Sequence, residues 1–308
     1  MSFDVPILFL VFSRPEKTAE VFQAIRKVRP SRLFVVADGP RPGVPDDERR
    51  CEEVRRLIQD GIDWDCDFTP LFRPENLGCR RSVSQGITWF FEQVEEGIVL
   101  EDDTLPVDSF FPYCRELLAK YRDDPRVMHI GGDNFHFGRK RGQASYYVSK
   151  YPYIWGWATW RRAWRHYDVD LTSFQAQWSG IRKEWVTDQE QRRLWKHYFE
   201  LVVNNEIDTW DFQWTYALFA RRGLSLLPNR NLVTNIGFGA DASHTGQDAS
   251  PLSRVPLEEM GRLTHPGSLD IDHVADSFVF THMVMGQPMP KITWRERFAN
   301  LKWKLRNP

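Results

Sequence analysis

The chain has 308 residues, 42% of them apolar and 27% charged, with a formal net charge of -1. That length suits one large α/β domain with an appendage, and that composition suits a soluble chain with a substantial core. The near-neutral balance excludes a global electrostatic case for nucleic acid, and Cys51, Cys66, Cys79 and Cys114 fall in neither a C-x-x-C nor a zinc spacing, which points to free thiols in a reducing compartment.

Residues 5–12 form an apolar run closed by Ser13-Arg14-Pro15, the pattern of a strand buried on both faces. The apolar stretch 6–12 is too short to span a bilayer, and Met1-Ser2-Phe3-Asp4 carries no basic segment. Neither a signal peptide nor a membrane-spanning helix is expected, and the expected location is cytoplasmic. A helix over 17–28 follows, with Ala19, Phe22, Ile25 and Val28 on one face. A second strand, 32–37, ends at Asp38-Gly39-Pro40. Then come a charged helix (46–59), a short strand (68–72) and a helix over 80–95 with Val83, Ile87, Phe90, Phe91 and Val94 as its apolar set. The fourth strand, 97–100, runs straight into Glu101-Asp102-Asp103. Strands alternating with helices predict an α/β fold: a mostly parallel, Rossmann-like sheet with helices on both faces.

Beyond a helix over 108–121 the pattern changes. From residue 127 the chain reads as aromatic and irregular through Tyr151-Pro-Tyr-Ile-Trp155-Gly156-Trp157. Helices are expected over 161–166, 188–204 and 211–221, and long loops over 237–270. The organisation read from this is one domain over 1–285, with a nucleotide-sugar half (1–126) and an aromatic-rich acceptor half (127–285), and a basic amphipathic segment over 286–308. In that segment Trp294, Phe298, Leu301 and Leu305 share one helical face, and Arg295, Arg297, Lys302, Lys304 and Arg306 add positive charge. Two readings of 291–306 stand side by side: peripheral contact with an anionic membrane surface, at the inner membrane face, or a terminal helix docked on the body.

Ligands of open parallel sheets bind beyond the carboxyl ends of the strands. Here those ends carry Ser13-Arg14, Asp38 and Glu101-Asp102-Asp103. Adjacent carboxylates repel one another, so a strand end that keeps three calls for a cation or many donors. Hard carboxylates with water suit Mn²⁺ or Mg²⁺ that also holds a diphosphate.

The run 97–111, Gly-Ile-Val-Leu-Glu-Asp-Asp-Thr-Leu-Pro-Val-Asp-Ser-Phe-Phe, resembles the Glu-Asp-Asp segment of the β-1,2-N-acetylglucosaminyltransferase of N-glycan synthesis. It resembles still more the bacterial nucleotide-diphospho-sugar transferases related to that enzyme, which are glycosyltransferases of GT-A fold. Phe12-Ser13-Arg14-Pro15 is similar to the family's first nucleotide-contacting turn, and Asp38 to its second-strand acid near the base or ribose. Arg73-Pro-Glu-Asn76-Leu-Gly78 resembles its Asn-x-Gly segment, Trp155-Gly156-Trp157-Ala-Thr-Trp160 its acceptor loop, Thr209-Trp210-Asp211 its base segment, and the 235–244 stretch its late loop ending in Ser-His.

The resemblance implies that Asp103 ligates the metal and that Glu101 and Asp102 hold ribose and sugar hydroxyls. Asp211 would be the general base, and His244 a contact to metal or phosphate. Phe212 stands where the eukaryotic enzyme has a second Asp, so Glu206 and Asp208 remain alternative bases. Arg73, Arg80 and Arg81 are the cations available to a diphosphate, the last two beside a helix start that favours phosphate. The implied partners are a nucleotide-diphosphate sugar, a UDP-sugar foremost and N-acetylglucosamine its favoured sugar, and a glycan, lipid-linked or protein acceptor. Polysaccharide biosynthesis is the implied setting. In the acceptor loop Trp155, Gly156 and Trp157 would form a platform for an acceptor sugar; Trp155 and Trp157 also suit plain core packing, and Asp211 a plain helix N-terminal carboxylate. A glycine-rich phosphate loop and a Walker motif are both missing, which disfavours a nucleotidyltransferase and excludes a P-loop enzyme. The rival from another class is a non-catalytic nucleotide-sugar or glycan-binding module.

Overall fold

The computed structural model describes residues 3–238, 252 and 255–307. Its first half repeats a strand-helix unit: β1 (Ile7–Val11), α1 (Pro15–Val28), β2 (Arg32–Ala37), α2 (Asp47–Gly61), β3 (Asp67–Phe72), α3 (Gly78–Gln93) and β4 (Glu96–Glu101). A short β5 (Thr104–Pro106) and α4 (Phe110–Tyr121) lead to β6 (Val127–Gly131), β7 (Tyr146–Ser149) and β8 (Trp157–Trp160). Four helices follow: α5 (Arg161–Trp164), α6 (Phe174–Glu184), α7 (Gln189–Val203) and α8 (Asp211–Arg221). Then come β9 (Leu224–Pro228), β10 (Val233–Asn235), α9 (His273–Val279), a π-helical turn (Phe280–Val284) and α10 (Trp294–Arg306).

Eight strands make one sheet in the order β3-β2-β1-β4-β8-β6-β9-β7. β8 and β7 run against the other six. The fold is therefore α/β with a mostly parallel central sheet, as its alternating elements predict. Alternation along each strand feeds two cores. Ile7, Phe9 and Val11 of β1 join Phe22, Ile25, Val54, Ile58 and Leu117 on one face. Leu8 and Leu10 join Ile87, Phe90, Phe91, Trp164 and Trp214 on the other. A third cluster joins α6, α7 and α8 through Phe174, Trp178, Trp195, Phe199 and Phe219.

The stretch read as irregular from residue 127 supplies four of the eight strands. β8 holds the middle of the sheet, pairing antiparallel with both β4 and β6. Its four residues are too short and too aromatic to show a strand period. None of the described helices is long and apolar enough to cross a membrane.

Candidate functional site

Because β1, β2, β4, β6 and β9 are parallel, Ser13-Arg14, Asp38, Asp102-Asp103, Asp133 and Asn229 all leave the sheet at one edge. At its middle, the carboxylates of β4 meet Arg14 of β1. The Arg14 guanidinium donates to Asp103 Oδ2 at 2.9 Å and to both Asp102 oxygens, one of them at 3.3 Å. The Phe12 amide adds a longer bond to Asp102 Oδ2, 3.3 Å. The turn is closed locally: the Glu101 amide donates to Thr104 Oγ1, whose hydroxyl donates back to the Glu101 carbonyl.

One guanidinium does not balance this cluster. Burial works against the charge on Arg14, yet Asp102 and Asp103 hold it more firmly protonated than usual. Burial, then the charges of Asp103 and Asp102, push the Glu101 carboxyl up to about 8, and Asp211 contributes in the same direction. Burial likewise raises Asp102, against the pull of Arg14. The structure thus brings Asp211 within electrostatic reach of the triplet. Asp211 opens α8, where the Thr209 hydroxyl donates to its Oδ1. Burial raises the Cys79 thiol, and Glu101, Asp208, Asp211 and Asp103 all add to that rise, which places Cys79 among four carboxylates.

The loop after β10 leans on the same cluster. The Ile236 amide donates to the Asp103 carbonyl at 2.8 Å. A Cβ at Gly237 would stand 2.2 Å from Asp103 Oδ2 and 2.8 Å from Asn235 Oδ1, so a larger residue here would displace the Asp103 carboxylate.

Asp38, at the end of β2, has a different environment. Its oxygens accept from the Gly39 amide at 2.9 Å, the Leu77 amide at 3.0 Å and Asn76 Nδ2 at 3.1 Å. Burial raises its carboxyl, and the Leu77 and Gly39 amides oppose that rise. Asp38 and Asn76 together pin the 73–78 turn against β2, where a Cβ at Gly39 would lie 2.3 Å from the backbone of Glu75. Arg73 stands near Asp38; burial lowers the pKa of its guanidinium against the pull of Asp38, and its Nε has no hydrogen-bond partner among the described residues.

The start of α3 is already filled. Asp208 accepts from the Cys79 and Arg80 amides, each at 3.0 Å, capping the helix from 129 and 128 residues away. The Arg80 side chain is committed to the Val169 carbonyl, Asn205 Oδ1 and Asp170. The sequence reading of this helix start as a diphosphate seat with Arg80 is corrected: a carboxylate occupies it, and Arg80 ties it to the α5–α6 connection.

Trp157 also departs from its expected role as a sugar platform. It is 0% exposed, stacked between His129 at 5.3 Å and Trp210 at 5.7 Å. Burying a large side chain favours the fold by a few kcal/mol and leaves this indole no face for a sugar. Trp155 is only partly buried, edge-on to Phe135 and Phe238. Gly156, at φ 64°, accepts from the Gly132 amide through its carbonyl and packs against Val233. Ser13 is buried at the end of β1. His244 lies outside the described residues.

Asp133 is a residue the sequence reading missed. It follows β6, is 1% exposed, accepts from the Trp155 amide at 3.4 Å, and its Oδ1 has no partner among the described residues. Burial holds its carboxyl well above the usual range. The available signal was an acid directly after a buried run ending Gly131-Gly132.

These residues could hold a divalent cation together with a ligand that brings its own oxygens. Glu101, Asp102, Asp103 and Asp211 present four carboxylates against one guanidinium, a set that fits a hard dication. No group of three or more acidic, His or Cys side chains closes a metal cage among the described residues. A cation held by one or two carboxylates, water and phosphate oxygens needs no such cage.

No protein-family model matches the chain, and no curated protein matches it by sequence. Among solved structures, apo UDP-glucose pyrophosphorylase aligns over 73% of this chain and 90% of its own, at 10% identity and TM-score 0.38. S. aureus TarS, residues 1–349, aligns over 76% and 59%, at 9% identity and TM-score 0.39. HddC from Yersinia pseudotuberculosis aligns over 53% and 80%, at 9% identity and TM-score 0.31. Likeness of this degree assigns no activity, and the fold stands on the strand order above.

Proposed function

We propose that the chain is a metal-dependent, inverting glycosyltransferase that moves a sugar from a nucleotide-diphosphate donor, a UDP-sugar foremost, to a glycan, lipid-linked or protein acceptor. One observation carries the reading: an acidic cluster at the carboxyl end of β4, met from β1 by Arg14, with Asp211 a separate carboxylate within its electrostatic reach. N-acetylglucosamine as the sugar follows from resemblance alone.

Asp103, only partly buried where Asp102 is fully buried, would hold Mn²⁺ or Mg²⁺. When bound, such an ion neutralises the charge that develops on a leaving diphosphate, worth several kcal/mol. Arg14 and the Phe12 amide fix Asp102 in place, and Asp102 and Glu101 would hold ribose and sugar hydroxyls. Asp211, oriented by Thr209, takes the acceptor hydroxyl's proton, and an inverting displacement needs one such base opposite the leaving group.

The test is release of nucleoside diphosphate from a panel of UDP-, GDP- and dTDP-sugars with Mn²⁺. One donor should turn over slowly without acceptor, and Asp103→Ala should stop it. Tight donor binding without turnover, unchanged in Asp211→Asn, would instead support a binding module.

A further inference from the structure

The two readings of the C-terminal segment are both satisfied by α10, on opposite faces. One face docks. Thr293 and Glu296 form a reciprocal cap. Glu296 then pairs with Arg139 at 2.9 Å, and Asn300 donates to the Gly138 carbonyl at 2.6 Å. Trp303 is buried, its Nε1 donating to the Ala144 carbonyl at 2.9 Å, with Lys140 and Arg230 against its ring. Asn307 closes the end, its carbonyl accepting from Arg230 at 2.6 Å.

The other face is bare. Trp294 is 73% exposed, Phe298 54%, Leu301 56% and Leu305 77%. Their 4-3-4 spacing puts them in one stripe. At 100° per residue, Lys302 and Arg295 flank it on one side and Arg297 and Lys304 on the other. All four are exposed and make no ion pair among the described residues; Arg295 and Lys302 instead lie over the Trp294 and Phe298 rings.

We infer that α10 seats the protein on a bilayer surface bearing anionic headgroups, with Trp294, Phe298, Leu301 and Leu305 entering the interface and the flanking cations meeting phosphate. An apolar stripe bordered on both sides by positive charge suits that surface. A second copy of this helix would oppose like charges along both borders, which disfavours self-association. The seat also has a direction. α10 rests on segments 138–144 and 229–230, which leave the carboxyl ends of β6 and β9. That is the sheet edge where Arg14, Asp102 and Asp103 gather, so the seat and the candidate site share one edge of the sheet. This orientation rests on the proposed function; the seating itself does not.

Flotation of the full chain with phosphatidylcholine vesicles, with and without about a third phosphatidylglycerol, tests the seating. Binding should need the anionic lipid and weaken steeply with salt. Removing one cation, as in Lys304→Ala or Arg297→Ala, should lower partitioning about five-fold. Trp294→Ser with Leu305→Ser should abolish flotation while the melting temperature holds, because both side chains are exposed. Asp103→Ala should float like wild type, which separates this proposal from the donor-site reading. Equal binding to neutral vesicles, no flotation by a folded wild-type chain, or dimerisation in solution that Trp294→Ser removes would overturn it.

Discussion

Two strand ends place buried aspartates at the same edge of the sheet, and they differ in what surrounds them. Asp38 after β2 is met by backbone amides and Asn76, all from the turns it holds together. Asp102 and Asp103 after β4 are met chiefly by Arg14, whose charge also acts on Glu101, and burial with the neighbouring carboxylates still raises the Glu101 carboxyl. The first is a latch that is complete by itself. The second fits the cation that the proposed function assigns to it. Counting donors against charges, rather than noting acidity, separates a structural carboxylate from a candidate ligand.

Substitutions at the two ends should therefore fail in opposite ways. The largest effect expected is on turnover: Asp103→Ala should lose about a hundred- to a thousand-fold in donor turnover, the rate equivalent of several kcal/mol, while its urea midpoint stays near wild type. Asp211→Asn should lose a comparable factor in turnover, within about 10²–10⁴, with donor affinity retained, read as kcat falling at constant KM. Asp38→Ala should instead lose about 2–4 kcal/mol of stability by urea unfolding, because it strands the Leu77 and Gly39 amides. Equal stability loss at Asp38 and Asp103 would erase the distinction.

The smallest effect concerns pH. The Glu101 carboxyl, raised to about 8 in the folded chain, favours the folded state most while it is protonated. Its contribution is full below the ordinary carboxylate range and is lost as pH rises through about 8. Glu101→Gln should therefore gain on wild type across that window in metal-free buffer, measured as the difference in unfolding free energy. A pH-independent difference would mean the cluster carries no excess charge.

Much of this was legible in the residues. Continuous apolar runs announce β1, β2 and β4, and Glu101-Asp102-Asp103 sits where a parallel sheet presents ligands. What the sequence could not show is long-range pairing. Nothing near Arg14 predicts that it closes on Asp102 88 residues away, or that Asp208 caps α3 from across the chain. The same blindness cast Trp157 as a platform. An indole reads alike in a loop and in a short central strand, and only the β4–β8–β6 pairing reveals that this one is enclosed. The C-terminal helix was legible as amphipathic, but its docking by Trp303 opposite the bare stripe was not.

The most direct measurement is calorimetric titration of UDP into the wild-type and Asp103→Ala proteins, with Mn²⁺ and again with EDTA. Wild type should bind UDP only with Mn²⁺ present, and the variant should not bind it. UDP binding of equal affinity in EDTA, or retained by Asp103→Ala, would contradict the cation site at Asp103.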